Sequence, residues 1–291
     1  MISIVIPAFN ECDAIEGTIE EIQKVLSGAN IAGAEIIVVD DGSKDGTGEQ
    51  AARAGAKVVR NPHNLGYGWS LKRGITAASH DIIVITDADL TYPADAIPGL
   101  LDRYRQGFDM VVGQRTGEHY RESAIKSPLR KVLRAMVEFA AGRTIPDINS
   151  GLRIFSRATA MSYFSHLCNT FSFTTTITLA YMMNGLFVDY QPIDYRQRSG
   201  TTKVRLIRDS LRTMQYITES IIYFNPLKAF MMLSMLMIAG SFVSFFLGAV
   251  SHLHVFYFFG IGGVMLSVLT MSIGFLAVLL KQIMDRGGEN R

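Results

Sequence analysis

Between residue 1 and about residue 113, short unbroken apolar runs alternate with stretches whose apolar positions recur every three to four residues. The runs suit strands covered on both faces, and the intervening periodicity suits helices packed on a parallel sheet. Five strands are predicted, at residues 2–6, 35–39, 57–60, 81–86 and 110–112. Between the first two, Ile15, Ile19, Ile22 and Leu26 form one helical stripe, and Asp13 with Glu16 has the spacing of a capping box. The class is therefore α/β, and such sheets bind ligands beyond the carboxyl ends of their strands.

Past residue 113 the pattern changes. A basic amphipathic stretch at about 126–142 carries Leu129, Leu133, Met136 and Ala140 on one stripe with Arg130, Lys131 and Arg134 beside it. A second, at 204–225, sets Ile207, Leu211, Met214, Ile217, Ile221 and Phe224 against Arg205, Arg208 and Arg212. Each suits a core helix or one lying on a membrane surface. Residues 229–250 and 255–280 then run without a charged side chain, each long enough for the roughly 20 residues that cross a bilayer. Two transmembrane helices are predicted. Their link, Ser251-His252-Leu253-His254, lacks Lys and Arg, whereas Lys228, Lys281, Arg286 and Arg291 flank the pair. The positive-inside rule puts both termini in the cytosol, as expected of a multi-pass protein of the cell (inner or plasma) membrane. The start of the chain has no signal-peptide pattern, in keeping with a cytosolic N-terminal domain. The expected domains are 1–203, an amphipathic helix at 204–225, the spans within 226–284 and a tail at 285–291.

Composition agrees with lipid contact, since 48% of residues are hydrophobic. A net charge of +2 gives no reason to expect a nucleic-acid partner. Charge is concentrated locally: Arg196, Arg198, Lys203, Arg205, Arg208 and Arg212 stand against Asp209 alone. Each such cation near an anionic surface contributes about 1 kcal/mol. Cys12 and Cys168 have neither metal-ligand nor redox spacing and are expected to be reduced thiols.

Chemistry concentrates at three strand ends. Asp87-Ala88-Asp89 closes the most apolar strand, where carboxylates two apart project to one side and can share a hard cation. Asp40-Asp41-Gly42-Ser43 follows another buried strand; it suits a plain turn, or acceptors for a base edge and a ribose. Asn64-Leu65-Gly66-Tyr67-Gly68 contains GxG, but Leu71 stands where a dinucleotide fingerprint needs its third glycine. Walker A and HExxH motifs are absent from the sequence, as is a recognisable nucleophile context.

Together, Ile4-Val5-Ile6-Pro7-Ala8-Phe9-Asn10-Glu11, Val38-Val39-Asp40-Asp41-Gly42-Ser43, the segment 61–68 and Asp87-Ala88-Asp89 resemble the family 2 glycosyltransferases of GT-A fold. Gly113-Gln114-Arg115, Asp147-Ile148-Asn149-Ser150-Gly151-Leu152-Arg153 and Arg198-Ser199-Gly200-Thr201-Thr202-Lys203 extend the resemblance to dolichyl-phosphate mannose synthases and bacterial polyprenyl-phosphate glycosyltransferases. It covers roughly the first 205 residues. The resemblance implies a nucleotide-sugar pocket lined by Pro7, Ala8, Asn10, Glu11, Asp40, Asp41, Gly68, Asp87 and Ala88. It implies Mg2+ or Mn2+ on Asp87 and Asp89, and catalysis by Asp89, Asp147 and Arg115. Arg115, Arg130, Lys131, Arg134, Arg198 and Lys203 would meet a lipid phosphate; a solvated helix face or a headgroup contact suits each of them as well. Many relatives read Gln-Asp-Pro-Pro after the metal site, whereas this chain reads Thr91-Tyr92-Pro93-Ala94, leaving a third protein ligand open.

The expected reaction is inverting transfer of a sugar from a UDP- or GDP-sugar to a polyprenyl phosphate at the cytosolic membrane face. The acceptor's second pKa of about 6 already leaves it largely dianionic, so it needs little help from a base. Rival readings are a processive polysaccharide synthase, whose Gln-x-x-Arg-Trp motif this sequence lacks, and an idle membrane adaptor that keeps the fold. The sugar, the nucleotide and homo-oligomer formation stay open.

Overall fold

The computed structural model describes residues 1–117, 127–197 and 206–289, with side chains described throughout these except at 127–133, 206–213 and 284–289. The chain forms two compact units, Met1–Tyr216 and Ile217–Arg291.

The first unit is built on seven strands: β1 Ile2–Ala8, β2 Glu35–Asp40, β3 Lys57–Arg60, β4 Ile82–Ile85, β5 Met110–Thr116, β6 Arg153–Ser156 and β7 Val188–Asp194. Their order across the sheet is β3-β2-β1-β4-β6-β5-β7. The five predicted strands are all present, and β1, β2 and β4 read as continuous apolar runs because both faces are covered. Helices α1 Cys12–Gly28, α2 Thr47–Arg53, α3 Tyr67–Ala77 and α4 Ala96–Arg105 connect them. Ile15, Ile19 and Ile22 of α1 and Leu100 and Leu101 of α4 bury against Ile4, Ile6, Val84 and Ile154 of the sheet.

Two strands escape the apolar pattern. β6 is four residues long, begins with an arginine, and pairs antiparallel with both β4 and β5. β7 is parallel to β5 from Met110↔Val188 to Thr116↔Asp194, yet its residues are mostly half-buried, so no clean run marks it. The register Ala8↔Asp40 and Asp40↔Arg60 brings the ends of β1, β2 and β3 to one edge. Arg153 opens β6 beside Ile85 and Val112, at that same edge.

The capping box expected at Asp13 does not form. The helix starts at Cys12 with Glu11 as its N-cap, and no side chain within the helix caps it. Distant side chains take its first amides instead: Thr47 Oγ1 accepts from Glu11 N at 3.0 Å and Asp45 Oδ2 from Cys12 N at 3.1 Å. Asp13 lies within the first turn, where a carboxylate still complements the helix dipole.

Beyond β5 come α5 Ser127–Ala141, α6 Arg157–Ser162, α7 Phe173–Met183 and α8 Leu206–Phe224. α5 and α8 are helical where the two amphipathic stretches were predicted. α7 is buried on nearly every side, and its Thr178 satisfies its hydroxyl on Thr174 O, one turn back.

The second unit carries α9 Pro226–Ser251 and α10 His254–Glu289. Asn225 caps α9 by accepting from Lys228 N, with Pro226 in the first turn, and His252 turns the chain in the left-handed region. Pro226–Ser251 and His254–Ile283 are long and apolar enough to cross a membrane. In their most apolar windows only 11% and 17% of residues are buried, unlike core helices of a water-soluble domain. Phe242, Phe246, Phe258 and Met265 point outward, while a polar and small-residue seam joins the helices. In that seam Ser234 Oγ lies 2.9 Å from Ser267 Oγ, and a Cβ added at Gly263 would stand 2.2 Å from Ser241 Oγ.

Candidate active site

The loop after β1 and the loop after β2 are stitched into one lip. Asp41 N donates to Ala8 O, Asn10 N to Ser43 Oγ, and Lys44 N to Asn10 Oδ1. Asn10 takes a left-handed φ of 52°, a conformation that asparagine tolerates better than most residues. Pro7 and Ala8 are buried in β1, while Asn10 is exposed and Glu11 half-buried.

The paired aspartates after β2 have different surroundings. Asp40 Oδ1 accepts from Ser43 N at 2.9 Å, and Oδ2 lies 3.7 Å from Arg60 Nε. A Cβ at Gly48 would stand 2.5 Å from Asp40 Oδ2, so α2 can approach this carboxylate only because residue 48 has no side chain. Asp41 holds the next loop: Asn61 Nδ2 and Leu65 N donate to its Oδ1 at 2.6 and 2.8 Å, and Gly66 N to its Oδ2 at 2.9 Å. Arg73 Nη1 in turn donates to Asn61 Oδ1.

β4 ends at Ile85, so Asp87-Ala88-Asp89 lies beyond the strand. Its carboxylates are therefore placed by a turn rather than by the pleat that the sequence suggested. Asp89 Oδ1 accepts from Thr91 N at 3.2 Å and from Thr91 Oγ1 at 2.5 Å, an Asx turn that follows Leu90 at φ 61°. Asp87 Oδ1 accepts from Tyr67 Oη at 3.0 Å. Burial first, and the charge of Asp87 second, hold this phenol well above its ordinary 10.0, so it stays a donor. Among the described residues no three His, Cys, Asp or Glu side chains gather as a ready-made metal cage. Two carboxylates fit a hard cation nonetheless, because Mg2+ is commonly held by one or two carboxylates together with substrate phosphates. The Thr91 hydroxyl donates to Asp89 Oδ1.

The third wall comes from β5 and the loop before β6. Arg115 meets Asp147 at two points, Nε to Oδ2 at 2.7 Å and Nη2 to Oδ1 at 2.8 Å, and Arg115 N and Asn149 N also donate to the same carboxylate. The guanidinium lies over the Tyr195 ring at 5.5 Å. Ser150 Oγ donates to Gly113 O, and Gly151 N to Tyr92 Oη at 2.6 Å. A Cβ at Gly151 would meet both carboxylate oxygens of Asp87 at 3.0 Å, so the 147–151 loop and the Asp87 turn are in contact.

Arg153 sits beneath this loop, fully buried. It donates to Ser150 O (2.7 Å), Ile148 O (2.7 Å) and Thr178 Oγ1 (2.5 Å). Burial pulls its pKa down, opposed by nearby Tyr190 and Asp147. Burial likewise pushes the Tyr190 phenol up to about 12.

Of the remaining basic candidates for the lipid phosphate, only Arg134 has a described side chain. Arg134 is half-exposed on α5 and pairs with Glu138 at 3.1 Å. Arg130 and Lys131 lie on α5 with their side chains outside the described set, and Arg198 and Lys203 fall outside the described residues. Arg196, the first of the six locally concentrated cations, pairs with Glu21 at 2.9 Å, and its N–H donates to Thr91 O. Gly68 packs against the backbone of residues 168–170, which a Cβ there would overlap. Tyr67, Tyr92 and Arg153 were not singled out from the sequence as site residues, although each stands inside or beside a quoted motif.

A family model, Glycosyl transferase family 2, matches residues 3–164, more than half of the chain. The chain belongs to glycosyl transferase family 2.

Within that family the chain is 28% identical over 204 residues to a dolichyl-phosphate hexose transferase of Haloferax volcanii, covering 70% of this chain and 86% of the relative. It is 25% identical over 237 residues to an undecaprenyl-phosphate 4-deoxy-4-formamido-L-arabinose transferase of Edwardsiella ictaluri, covering 78% and 70%. Identity to a dolichol-phosphate mannosyltransferase of Pyrococcus furiosus is 36% over 118 residues, which span only 39% of this chain and 33% of that protein. Among solved structures, glucosyl-3-phosphoglycerate synthase from Mycobacterium tuberculosis, crystallised with Mn2+, UDP-glucose and phosphoglyceric acid, superposes with a TM-score of 0.63. That match covers 76% of this chain and 79% of the synthase at 22% identity, and it establishes a GT-A-like fold.

Proposed function

We propose that this family 2 protein transfers a sugar from a UDP- or GDP-sugar to a polyprenyl phosphate, with inversion at the anomeric carbon, at the cytosolic face of the cell membrane. The observation that carries the reading is one sheet edge holding Asp40, the Asp87/Asp89 turn and the Arg115–Asp147 pair, in a chain that also bears two membrane-length apolar helices. The names of the Haloferax and Edwardsiella relatives support the acceptor class. Lys228 and Lys281 at the outer ends of the helices, with no Lys or Arg in their link, support the orientation.

In this reading Asp87 and Asp89 would hold Mg2+ or Mn2+, and a bound ion would supply charge neutralisation to the departing nucleoside diphosphate. Structures of the mycobacterial synthase contain Mn2+ or Mg2+ with UDP, which supports a divalent ion in this fold. Pro7, Ala8, Asn10, Glu11, Asp40, Asp41, Gly68 and Ala88 form the nucleotide-sugar pocket. An acceptor phosphate oxygen attacks the anomeric carbon directly. Asp147 does not serve as its base, since four donors already engage the carboxylate. It orients Arg115 instead, whose fixed charge draws the acceptor phosphate; Arg130, Lys131, Arg134, Arg198 and Lys203 extend that attraction along the chain.

The test is the purified full chain in lipid nanodiscs with undecaprenyl phosphate, Mg2+ or Mn2+, and a panel of UDP- and GDP-sugars. One donor should yield a lipid-linked sugar by mass spectrometry together with free nucleoside diphosphate. No product with any donor would leave the adaptor reading standing.

A further inference from the structure

We propose that Tyr67 is a positioning residue for the divalent cation: its hydroxyl orients the Asp87 carboxylate for metal binding, an inference that rests on the metal reading of Asp87 and Asp89.

The geometry begins in the backbone. Gly66 takes φ 106°, a conformation that side chains rarely adopt, and turns the chain into α3. Gly68 presses the first turn of α3 onto residues 168–170, and Trp69 N donates to Asn169 O at 3.1 Å. These contacts fix the Tyr67 backbone. Its ring stacks on Phe171 with centroids 5.8 Å apart and planes 20° from parallel. The phenol is thus held from both ends before it reaches Asp87 Oδ1 at 3.0 Å.

Asp87 is confined on another side as well, because a Cβ at Gly151 would stand 3.0 Å from both of its carboxylate oxygens. A carboxylate in a turn beyond a strand otherwise has several rotamers to choose from, and ordering it at the moment of cation binding lowers affinity. A donor on one oxygen removes part of that freedom before a cation arrives. Hydrogen-bond partners of this kind behind metal ligands typically contribute 10–100-fold in affinity. Tyr67 also ties the Asp87 carboxylate to the 168–171 segment through its stack on Phe171.

The experiment measures Mn2+ affinity by electron paramagnetic resonance on the full chain in detergent, with UDP and separately with GDP, for the unsubstituted protein and for Tyr67→Phe. Phenylalanine keeps the stack on Phe171 and removes only the hydroxyl. The expected result is a ten- to hundredfold weaker Mn2+ dissociation constant at an unchanged melting temperature. Mn2+ affinity within twofold of the unsubstituted chain overturns the role of Tyr67 alone. Absence of Mn2+ binding by the unsubstituted chain with either nucleotide overturns the metal reading and the role of Tyr67 with it. Phe171→Ala, which trims an exposed ring and keeps the hydroxyl, is expected to weaken Mn2+ binding by a smaller factor than Tyr67→Phe; a larger loss would assign the effect to the 168–171 segment rather than to the phenol.

Discussion

Arg115 and Asp147 are joined by two parallel hydrogen bonds of 2.7 and 2.8 Å, with the aspartate side chain 3% and the arginine side chain 16% exposed. The pair bridges β5 and the loop before β6, which are 32 residues apart in sequence. The pair holds the guanidinium against a carboxylate that already accepts four hydrogen bonds.

Asp147→Asn should therefore act on Arg115 and not on proton transfer. The expected outcome in the transferase assay is a loss of about 10–100-fold in kcat/KM, carried by KM for the polyprenyl phosphate, with kcat within about tenfold. A hundredfold or greater fall in kcat at unchanged KM would mark Asp147 as a base. Asp147→Ala removes the carboxylate partner of the largely buried Arg115 and should also destabilise the protein by about 3 kcal/mol.

Arg153→Met should be among the most damaging substitutions in the first unit. It removes the donor that satisfies Ile148 O, Ser150 O and Thr178 Oγ1 at once. A stability loss of about 3–5 kcal/mol is expected, and Arg153→Lys should recover only part of it, since an ammonium cannot span the guanidinium's fork. Trp69, the single tryptophan, lies in α3 of the same unit and reports the melting transition by fluorescence.

Glu35 should make stability depend on acid pH. Partial burial alone would raise its pKa, but hydrogen bonds from Ser3 Oγ and from the Ser79 amide and hydroxyl, with Lys57 nearby, hold it below the ordinary 4.5. A carboxylate depressed on folding stabilises the native state above its unfolded value and loses that contribution as pH falls through the folded one. The stability difference between the natural chain and Glu35→Gln should therefore be constant above about pH 5.5 and shrink below pH 4.5 in denaturant titrations. A difference that does not change with pH would refute the assignment.

Gly263→Leu should force α9 and α10 apart, because even a Cβ there would overlap Ser241 Oγ. Small residues at such seams let membrane helices approach closely. With Ser234→Cys and Ser267→Cys introduced where the two hydroxyls lie 2.9 Å apart, oxidation should form a disulfide detectable by peptide mass spectrometry. Adding Gly263→Leu should abolish it; an unchanged yield would contradict this packing.

β1, β2 and β4 were legible as largely apolar runs and β3 and β5 as short apolar cores between polar residues, and the two long helices because 20 or more uncharged residues leave few alternatives to lipid. The family motifs fall at strand ends, and strand pairing brings those ends to one edge of the sheet. β6 was not legible: a four-residue strand that opens with a buried arginine has no local apolar signal, and its antiparallel insertion between β4 and β5 is fixed only by pairing. The cap of α1 failed for a related reason. Asp13 and Glu16 have the right spacing, but Thr47 and Asp45, more than 30 residues away, reach the first amides of the helix.

What the sequence determined by itself is what short-range physics carries: runs, periods, span lengths and the order of polar turns. Only the tertiary structure decided which of those polar residues hold one another. It committed Asp41 to the 61–66 loop, locked Asp147 onto Arg115, buried Arg153 under three acceptors and set Tyr67 against Asp87. Each of these joins residues from separate loops or elements, and a contact closed only when strands have paired leaves no periodicity along the chain to announce it.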